Sequence, residues 1–508
     1  VLRYMVLAGA GCALVSLFVP RERARVEVID YPYLLFVVAV GVAAYLVISG
    51  RRWVGVALAG VVFVLAAVAV GVDVAHGLPE ADLPLLAVGA LAVAFGGLSA
   101  GSWRVRPLGV LGVAAVVGAA VVAPDAVEAA AVRSEVRGAW AEPPRPVVEL
   151  AATKRWEWQS PARVVGLAAA GHGVAVGTED GAVVGLDGTD GRPQWRYARS
   201  GALLLSVSAS PDRRSVLALF DRDQQPPRRL LVGLDADTGT LRFERAMEGR
   251  ELGKNLFVGA TAVVTADSGG VSADDQATGE ERWRWWQPDG CLADVAGTGP
   301  AGVSVAVWCE DRLAVLGLAE DTGRELWRHT VTFEPERRAN RQVEVVTTTD
   351  GSVAHVRMYG DELPPDALTD ALVDVASGRV TRLVDPPAAV EVGYGPAPVL
   401  RDRERDAPVH AVDPATGRAV PLDEANCPLT RAAVTTATRF VRLCSTPKGE
   451  LSVSAQGLDG SAPVTAALAP IDGLTFGLNA YFVPAPGALV IGAPGSRDRP
   501  GLVVGFAP

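Results

Sequence analysis

Gly185-Leu186-Asp187-Gly188-Thr189-Asp190-Gly191-Arg192-Pro193-Gln194-Trp195 decides the fold, because it recurs. Gly233-Leu234-Asp235-Ala236-Asp237-Thr238-Gly239 leads to Phe243, Asp275-Gln276-Ala277-Thr278-Gly279 to Trp283, and Ala319-Glu320-Asp321-Thr322-Gly323 to Trp327. Two further copies, Asp374–Gly378 and Asp413–Gly417, have lost the aromatic residue. The central glycines are spaced 48, 40, 44, 55 and 39 residues apart, and the long interval holds an insertion, Tyr359–Asp370. Between the copies, short β-branched runs alternate with Gly/Asp turns, which is the signal of an all-β fold. A period near 40–50 residues points to a propeller with one four-stranded blade per period.

Each part of the repeat has a structural reason. The glycine supplies positive φ in the turn between the third and fourth strands. The Asp four places earlier accepts hydrogen bonds from the turn N–H groups. The aromatic residue four places later starts the outer strand and packs flat on the neighbouring blade. Asp187, Gly191, Trp195, Asp235, Gly239, Phe243, Asp275, Gly279, Trp283, Gly323, Trp327, Asp374, Gly378, Asp413 and Gly417 are thus expected to be turn and staple residues rather than ligand-binding groups.

Six copies give six blades. Cys427–Ala467 supplies a seventh, with a degraded Gly457-Leu458-Asp459-Gly460 turn, and Ile471–Ala507 supplies only three strands. The missing outer strand is Lys154-Arg155-Trp156-Glu157-Trp158, which stands before the first inner strand. The expectation is an eight-bladed propeller over 150–508, with Trp156 and Trp158 closing the ring and seven blades as the alternative. Roughly 355 residues over eight blades is about 44 each, a normal blade length.

Ahead of the propeller the composition changes. The chain is 49% hydrophobic and only 20% charged, and the apolar excess sits in residues 1–123. Five apolar runs, Val1–Val19, Tyr33–Gly50, Val54–Val72, Leu83–Ala100 and Leu108–Ala123, approach the ~20 residues that span a hydrocarbon core. They predict a transmembrane helical bundle of about five spans, with four as the alternative. Arg51, Arg52, Arg104 and Arg106 mark cytoplasmic breaks, and the break Asp73–Asp82, without Lys or Arg, is outside. Arg21, Arg23 and Arg25 disagree with that orientation. The expected location is a multi-pass cell-membrane protein with an extracytoplasmic propeller. The linker, 124–149, ends Glu142-Pro143-Pro144-Arg145-Pro146 and reads as a stiff spacer. Within it Ala126–Val136 reads as a short helix, with Pro124 as the break from the last span.

Cys12 lies in a span. Cys291 with Cys309, and Cys427 with Cys444, each bracket the first two strands of one blade, so an oxidising compartment predicts two disulfides. No Cys-x-x-Cys zinc pattern accompanies them. A net charge of −10 argues against sequence-independent nucleic-acid binding.

The repeat resembles the pyrroloquinoline-quinone-like (PQQ-like) propeller family, whose pattern reads Ala-x-Asp-x-x-Thr-Gly-x-x-x-Trp; Gly233–Phe243 and Leu318–Trp327 match best. The resemblance implies the fold more than the activity. Members include quinoprotein dehydrogenases and the lipoprotein of the outer-membrane assembly complex, a binding scaffold without a cofactor. Five spans before an eight-bladed propeller also resemble membrane-bound quinoprotein glucose dehydrogenase, which would imply PQQ with calcium. Such a site needs a cation held by acidic and amide oxygens, a base and aromatic walls. Residues 124–508 hold only His172, His329, His355 and His410, and no vicinal cysteines. Trp283-Arg284-Trp285-Trp286 reads as blade packing. No catalytic, metal or cofactor-binding residue is singled out. The expected function is a binding or scaffold module for an envelope protein, a cell-wall polymer or a small ligand. The alternatives are a quinone-dependent dehydrogenase of sugars or alcohols and an envelope sensor. Departures from the repeat, Tyr359–Asp370 and Asp221–Pro227, are where a site is expected.

Overall fold

The computed structural model describes residues 2–18, 31–77, 82–99, 106–221, 229–247, 256–267, 269–332, 342–360, 363–364, 367–383, 389–391, 395–402, 408–423, 427, 429–446, 448–469, 480–495 and 500–507. Five helices come first: α1 (Leu2–Val15), α2 (Tyr31–Ile48), α3 (Arg52–Ala75), α4 (Asp82–Ser99) and α5 (Arg106–Ala131). α4 packs between α1 and α3, and α2 lies on α3. Small residues set the closest approach. A methyl group on Gly9 would meet the Gly89 carbonyl at 2.7 Å, so α1 and α4 cross almost backbone to backbone, as small-residue helix contacts allow. Val40, Ala43, Ala59, Ala90 and Val93 are fully buried inside, while Leu35, Val38, Val61, Val64 and Val121 are exposed on the outside. Arg52–Ala75 and Ala114–Ala131 are each long and apolar enough to cross a membrane. Arg3–Val15, Tyr33–Ile48 and Asp82–Leu98 are apolar but shorter. Arg21, Arg23, Arg25 and Arg104 lie outside the described residues.

The chain after Pro124 differs from the sequence reading. α5 runs unbroken through Pro124 to Ala131. Proline removes one donor, a loss that apolar helices accommodate when neighbouring groups take up the freed carbonyl. The expected helix over Ala126–Val136 ends at Ala131, and Val132–Glu135 is a strand. That strand pairs antiparallel with Arg196–Arg199. The linker is therefore not a free spacer, since Val132–Glu135 within it join the ring.

Eight blades make the propeller, each of four strands, with a fifth added to the edge of the first. Blade 1 comprises Val164–Ala170, Gly173–Thr178, Ala182–Asp187 and Pro193–Arg199, with Val132–Glu135 outermost. Blades 2 to 7 occupy residues 203–247, 256–286, 291–332, 342–382, 389–422 and 429–467. Blade 8 is Tyr481–Ala485, Ala488–Ala493, Leu502–Ala507 and, as outer strand, Thr153–Gln159. Trp156 lies opposite Gly505, and Trp158 opposite Val503. The ring thus closes by pairing an early strand with a late one. The second and third strands are buried on both faces, as in Gly173–Thr178 and Ala182–Asp187, which explains their continuous Val/Ala/Leu runs.

Antiparallel blades sort the turns onto two faces. Outer-to-inner connections and second-to-third turns emerge on one face. First-to-second turns and the repeat turns emerge on the other. The turn Ser200–Ala202 touches the end of α3: a methyl on Gly201 would meet the Ala75 carbonyl, and one on Gly77 the Ser200 carbonyl. The first face is therefore the helix side and the second the far side. The disulfides Cys291–Cys309 and Cys427–Cys444 are both formed, each at the helix-side end of a blade's first two strands.

Candidate functional site

The repeat residues are spread around the ring, one set per blade. Gly191, Gly239, Gly279, Gly323, Gly378 and Gly417 all have φ between +65° and +72°. Four of these aromatic rings lie between two glycines, and the fifth, Trp283, lies on one. Trp195 covers Gly185 of its own third strand and faces Gly239 of blade 2, and its indole donates 2.9 Å to the Ala236 carbonyl. Phe243 sits likewise between Gly233 and Gly279, Trp327 between Gly317 and Gly378, and Trp156 between Gly505 and Gly191. Trp283 faces Gly323. The indoles of Trp156, Trp283 and Trp327 each donate to a carbonyl of the next blade, at 2.8, 2.7 and 2.7 Å. Trp158 packs beside Trp156 at the blade 8–blade 1 seam.

The aspartates hold their own turns. Asp235 accepts from the Asp237 and Thr238 N–H groups and from Arg242. Asp275 accepts from Ala277, Thr278 and Arg282, Asp374 from Ser377, Asp413 from Ala415 and Thr416, and Asp187 from Thr189. At Asp235 and Asp275 burial opposes ionisation, but the hydrogen bonds outweigh it and hold the carboxyls below their usual range. At Asp374 and Asp413 the hydroxyls of Ser377 and Thr416 are the leading cause of the same shift.

The histidines do not converge. His172 is in blade 1, His329 bonds the Gly378 carbonyl from blade 4, His355 faces Asp370 at 3.3 Å in blade 5, and His410 is in blade 6. Among the described residues no three His, Cys, Asp or Glu side chains are grouped as a metal site would require. The Tyr359–Asp370 insertion folds onto its blade: Ala367 and Leu368 are buried in the core, and the Met358 N–H donates to Leu368. Residues 361–362 and 365–366 lie outside the described residues, as do 222–227 of the second departure.

What the structure does assemble is a joint between helices and ring. Arg199, at the helix-side end of blade 1, is fully buried. Its guanidinium pairs with Glu128 on α5 and Glu244 on blade 2, and donates 2.9 Å to the Gly77 carbonyl after α3. Nε donates 2.9 Å to the Tyr197 hydroxyl, which donates to Glu244 at the same distance. Burial alone would favour the neutral form of Arg199, but the Glu244 and Glu128 carboxylates beside it outweigh burial and keep the cation charged. Burial pushes the Tyr197 phenol up, so it stays protonated as a donor. Four segments converge on one cation, and removing one partner of such a buried group costs about 3–5 kcal/mol.

From this joint the linker crosses the far side. The Arg137 N–H donates to Thr238, Trp140 stacks on His172 with centroids 4.2 Å apart, and Arg137 lies over Trp140 at 4.0 Å. Beneath Trp140 is a small pocket lined by His172, Asp187, Gln194, Trp195 and Asp237. Arg145 then bonds Thr189, Val147 bridges Pro486, and Glu149 pairs with Arg439 of blade 7. Sequence reasoning missed the joint because the partners of Arg199 are 71 and 45 positions away and share no local pattern. The one sequence signal for the docked linker is the aromatic Trp140 in an otherwise proline-rich segment.

The fold and this geometry define an eight-bladed β-propeller with an apolar helical lead. A family model described as outer membrane protein assembly factor BamB matches residues 225–421, a stretch that takes in the third strand of blade 2 and reaches the outer strand of blade 6. Over that stretch the chain carries the PQQ-like repeat. No curated protein matches the sequence. Among solved structures, the computationally designed Ika8 protein aligns at 15% identity and a TM-score of 0.41, covering 70% of this chain and 100% of that one. The WD40 domain of SCAP from fission yeast aligns at 8% identity and a TM-score of 0.40, covering 69% of this chain and 97% of that one.

Proposed function

We propose that this chain is a membrane-anchored scaffold: a multi-pass helical bundle that holds an extracytoplasmic propeller as a binding module. The carrying observation is the buried Arg199 joint, which fixes the ring to α3 and α5 instead of leaving it on a tether. A rigidly presented disc suits recognition by faces and rim. The apolar outer surface of the helices favours lipid as their surroundings, and two disulfides suit an oxidising compartment. The match to a BamB model favours an envelope protein as the partner, ahead of a cell-wall polymer or a small ligand. Crosslinking the full-length chain in its native membranes and purifying it under denaturing conditions tests this. The expected result is one specific envelope partner. Turnover of sugars or alcohols on adding PQQ and calcium, read by dye reduction, would overturn the scaffold reading in favour of a dehydrogenase.

A further inference from the structure

We propose that the helix-side face of the propeller rests on the lipid headgroup layer, with Trp286 and Leu292 as its anchoring side chains. The inference rests on the membrane-anchor reading and goes beyond it, because it assigns lipid contact to the β-ring itself. Strand direction places both residues on that face. Trp286 ends the outer strand of blade 3 and lies opposite Gly270, beside the second-to-third turn. Leu292 is the second residue of the inner strand of blade 4 and lies opposite Trp308, next to the Cys291–Cys309 disulfide. The same kind of connection in blade 1, Ser200–Ala202, abuts the end of α3. The patch is thus continuous in face with the contact that the helices already make.

The exposure pattern points the same way. Trp286 and Leu292 are each 68% exposed. Leu203 and Leu429, the first residues of the inner strands of blades 2 and 7, are also exposed and lie at the same end of their strands. On the far side Leu241 and Val464, each at the start of an outer strand, and Val136 and Val147 of the crossing segment are exposed too, but each less than Trp286 and Leu292. The Arg284 guanidinium stacks over the Trp286 ring at 5.4 Å. An indole with a cation on its face is amphipathic, apolar in body and polar at the rim, the chemistry favoured at a membrane–water boundary. A lipid surface explains why two large apolar groups stand out from the disc on the side where the helices end.

Spin-label accessibility on the full chain tests this. Cys12 is replaced (Cys12→Ala), the disulfides are left intact, and a single nitroxide is placed by Trp286→Cys, by Val464→Cys on the far side, or by Val64→Cys on the outer face of α3. Each protein is reconstituted in phosphatidylcholine–phosphatidylglycerol vesicles, and relaxation by oxygen is compared with relaxation by a water-soluble nickel chelate. The proposal expects position 64 to be oxygen-rich, position 464 nickel-rich, and position 286 shifted from the value at 464 towards that at 64. If 64 is oxygen-rich but 286 matches 464, the lipid-contact inference is wrong while the anchor stands. If 64 itself is nickel-rich, the anchor reading fails and the inference with it. Circular dichroism of Trp286→Cys in the same vesicles establishes that the ring is intact.

Discussion

Blades 8, 1, 2, 3 and 4 differ from blades 5, 6 and 7 in how each meets the next. In the first arc an aromatic ring from the outer strand lies on a positive-φ glycine of the following blade. In the second arc that ring is gone. Gly417 faces the Arg382 carbonyl and the Thr381 methyl, and Gly460 faces the Val420 side chain. The outer strands follow suit: six to eight residues in the stapled arc, but Val380–Arg382, Ala419–Leu422 and Val464–Ala467 in the lean arc. Where no ring spans a seam, an outer strand has less to lie against. Other devices take over at blades 7 and 8. The Cys427–Cys444 disulfide ties the first two strands of blade 7, and Val148 of the linker with Leu150, Ala151 and Ala152 just after it packs into the blade 7–blade 8 core. The helices dock on the stapled arc, at blades 1 and 2.

The strongest way to break this contrast is at the joint. Arg199→Met leaves Glu128 and Glu244 facing each other without their cation, and should cost about 3–5 kcal/mol, read as a fall in the denaturation midpoint of the full chain. The Glu128→Gln/Glu244→Gln variant with Arg199→Met should recover much of that loss. Trp195→Ala should be nearly as damaging, at about 3–5 kcal/mol, because a buried ring and a cross-blade hydrogen bond go together, and Trp327→Ala, whose ring is half-buried, should cost somewhat less. Val420→Ala, the aliphatic substitute in the lean arc, should cost clearly less. Equal losses at Trp327 and Val420 would erase the distinction between the arcs.

Much of this contrast is legible in the sequence, and the reason is local. The repeat Gly, Asp and aromatic residue stand within nine positions of one another, so one blade's staple is a contiguous string. The copies at Gly378 and Gly417 visibly lack the ring. Ring closure by Trp156 is legible because blade 8 comes up one strand short. The joint is not legible. Arg199 reads as an ordinary strand-end arginine, and nothing near it announces Glu128 or Glu244. Pro124 misleads in the opposite direction, since a lone proline reads as a helix break although the helix continues through it. The Tyr359–Asp370 insertion looks like a place for a site, yet its Ala367 and Leu368 serve the core.

Smaller changes sharpen the comparison. Replacing both Cys427 and Cys444 by serine should cost about 3 kcal/mol, the loop-closure value for a loop of this size, and should loosen blade 7 first. Replacing Cys291 and Cys309 should disturb the fold less, because blade 4 is also stapled by Trp283 and Trp327. Denaturation of the two double variants, followed by limited proteolysis, makes the comparison. The smallest effect is at the turn carboxylates. Asp235, Asp275, Asp374 and Asp413 titrate lower in the folded chain than in the unfolded one. The unfolded state therefore takes up their protons first as pH falls. Their stabilisation is complete above the ordinary Asp value of about 3.9 and is lost as pH drops through the lower folded values. Asp235→Asn should flatten the acid limb of stability against pH and cost about 1 kcal/mol at neutral pH.

Hydrogen–deuterium exchange on the full-length chain in lipid nanodiscs, resolved blade by blade, tests the central claim most directly. Residues 128–137, the outer strand Pro193–Arg199 and blade 2 should be protected together, as one unit with the stapled arc. The outer strands of blades 5 to 7 should exchange sooner, and Arg199→Met should release 128–137 without opening blade 4. Exchange at 128–137 as fast as in an exposed loop, with the wild-type ring otherwise intact, would contradict a propeller fixed to its helices.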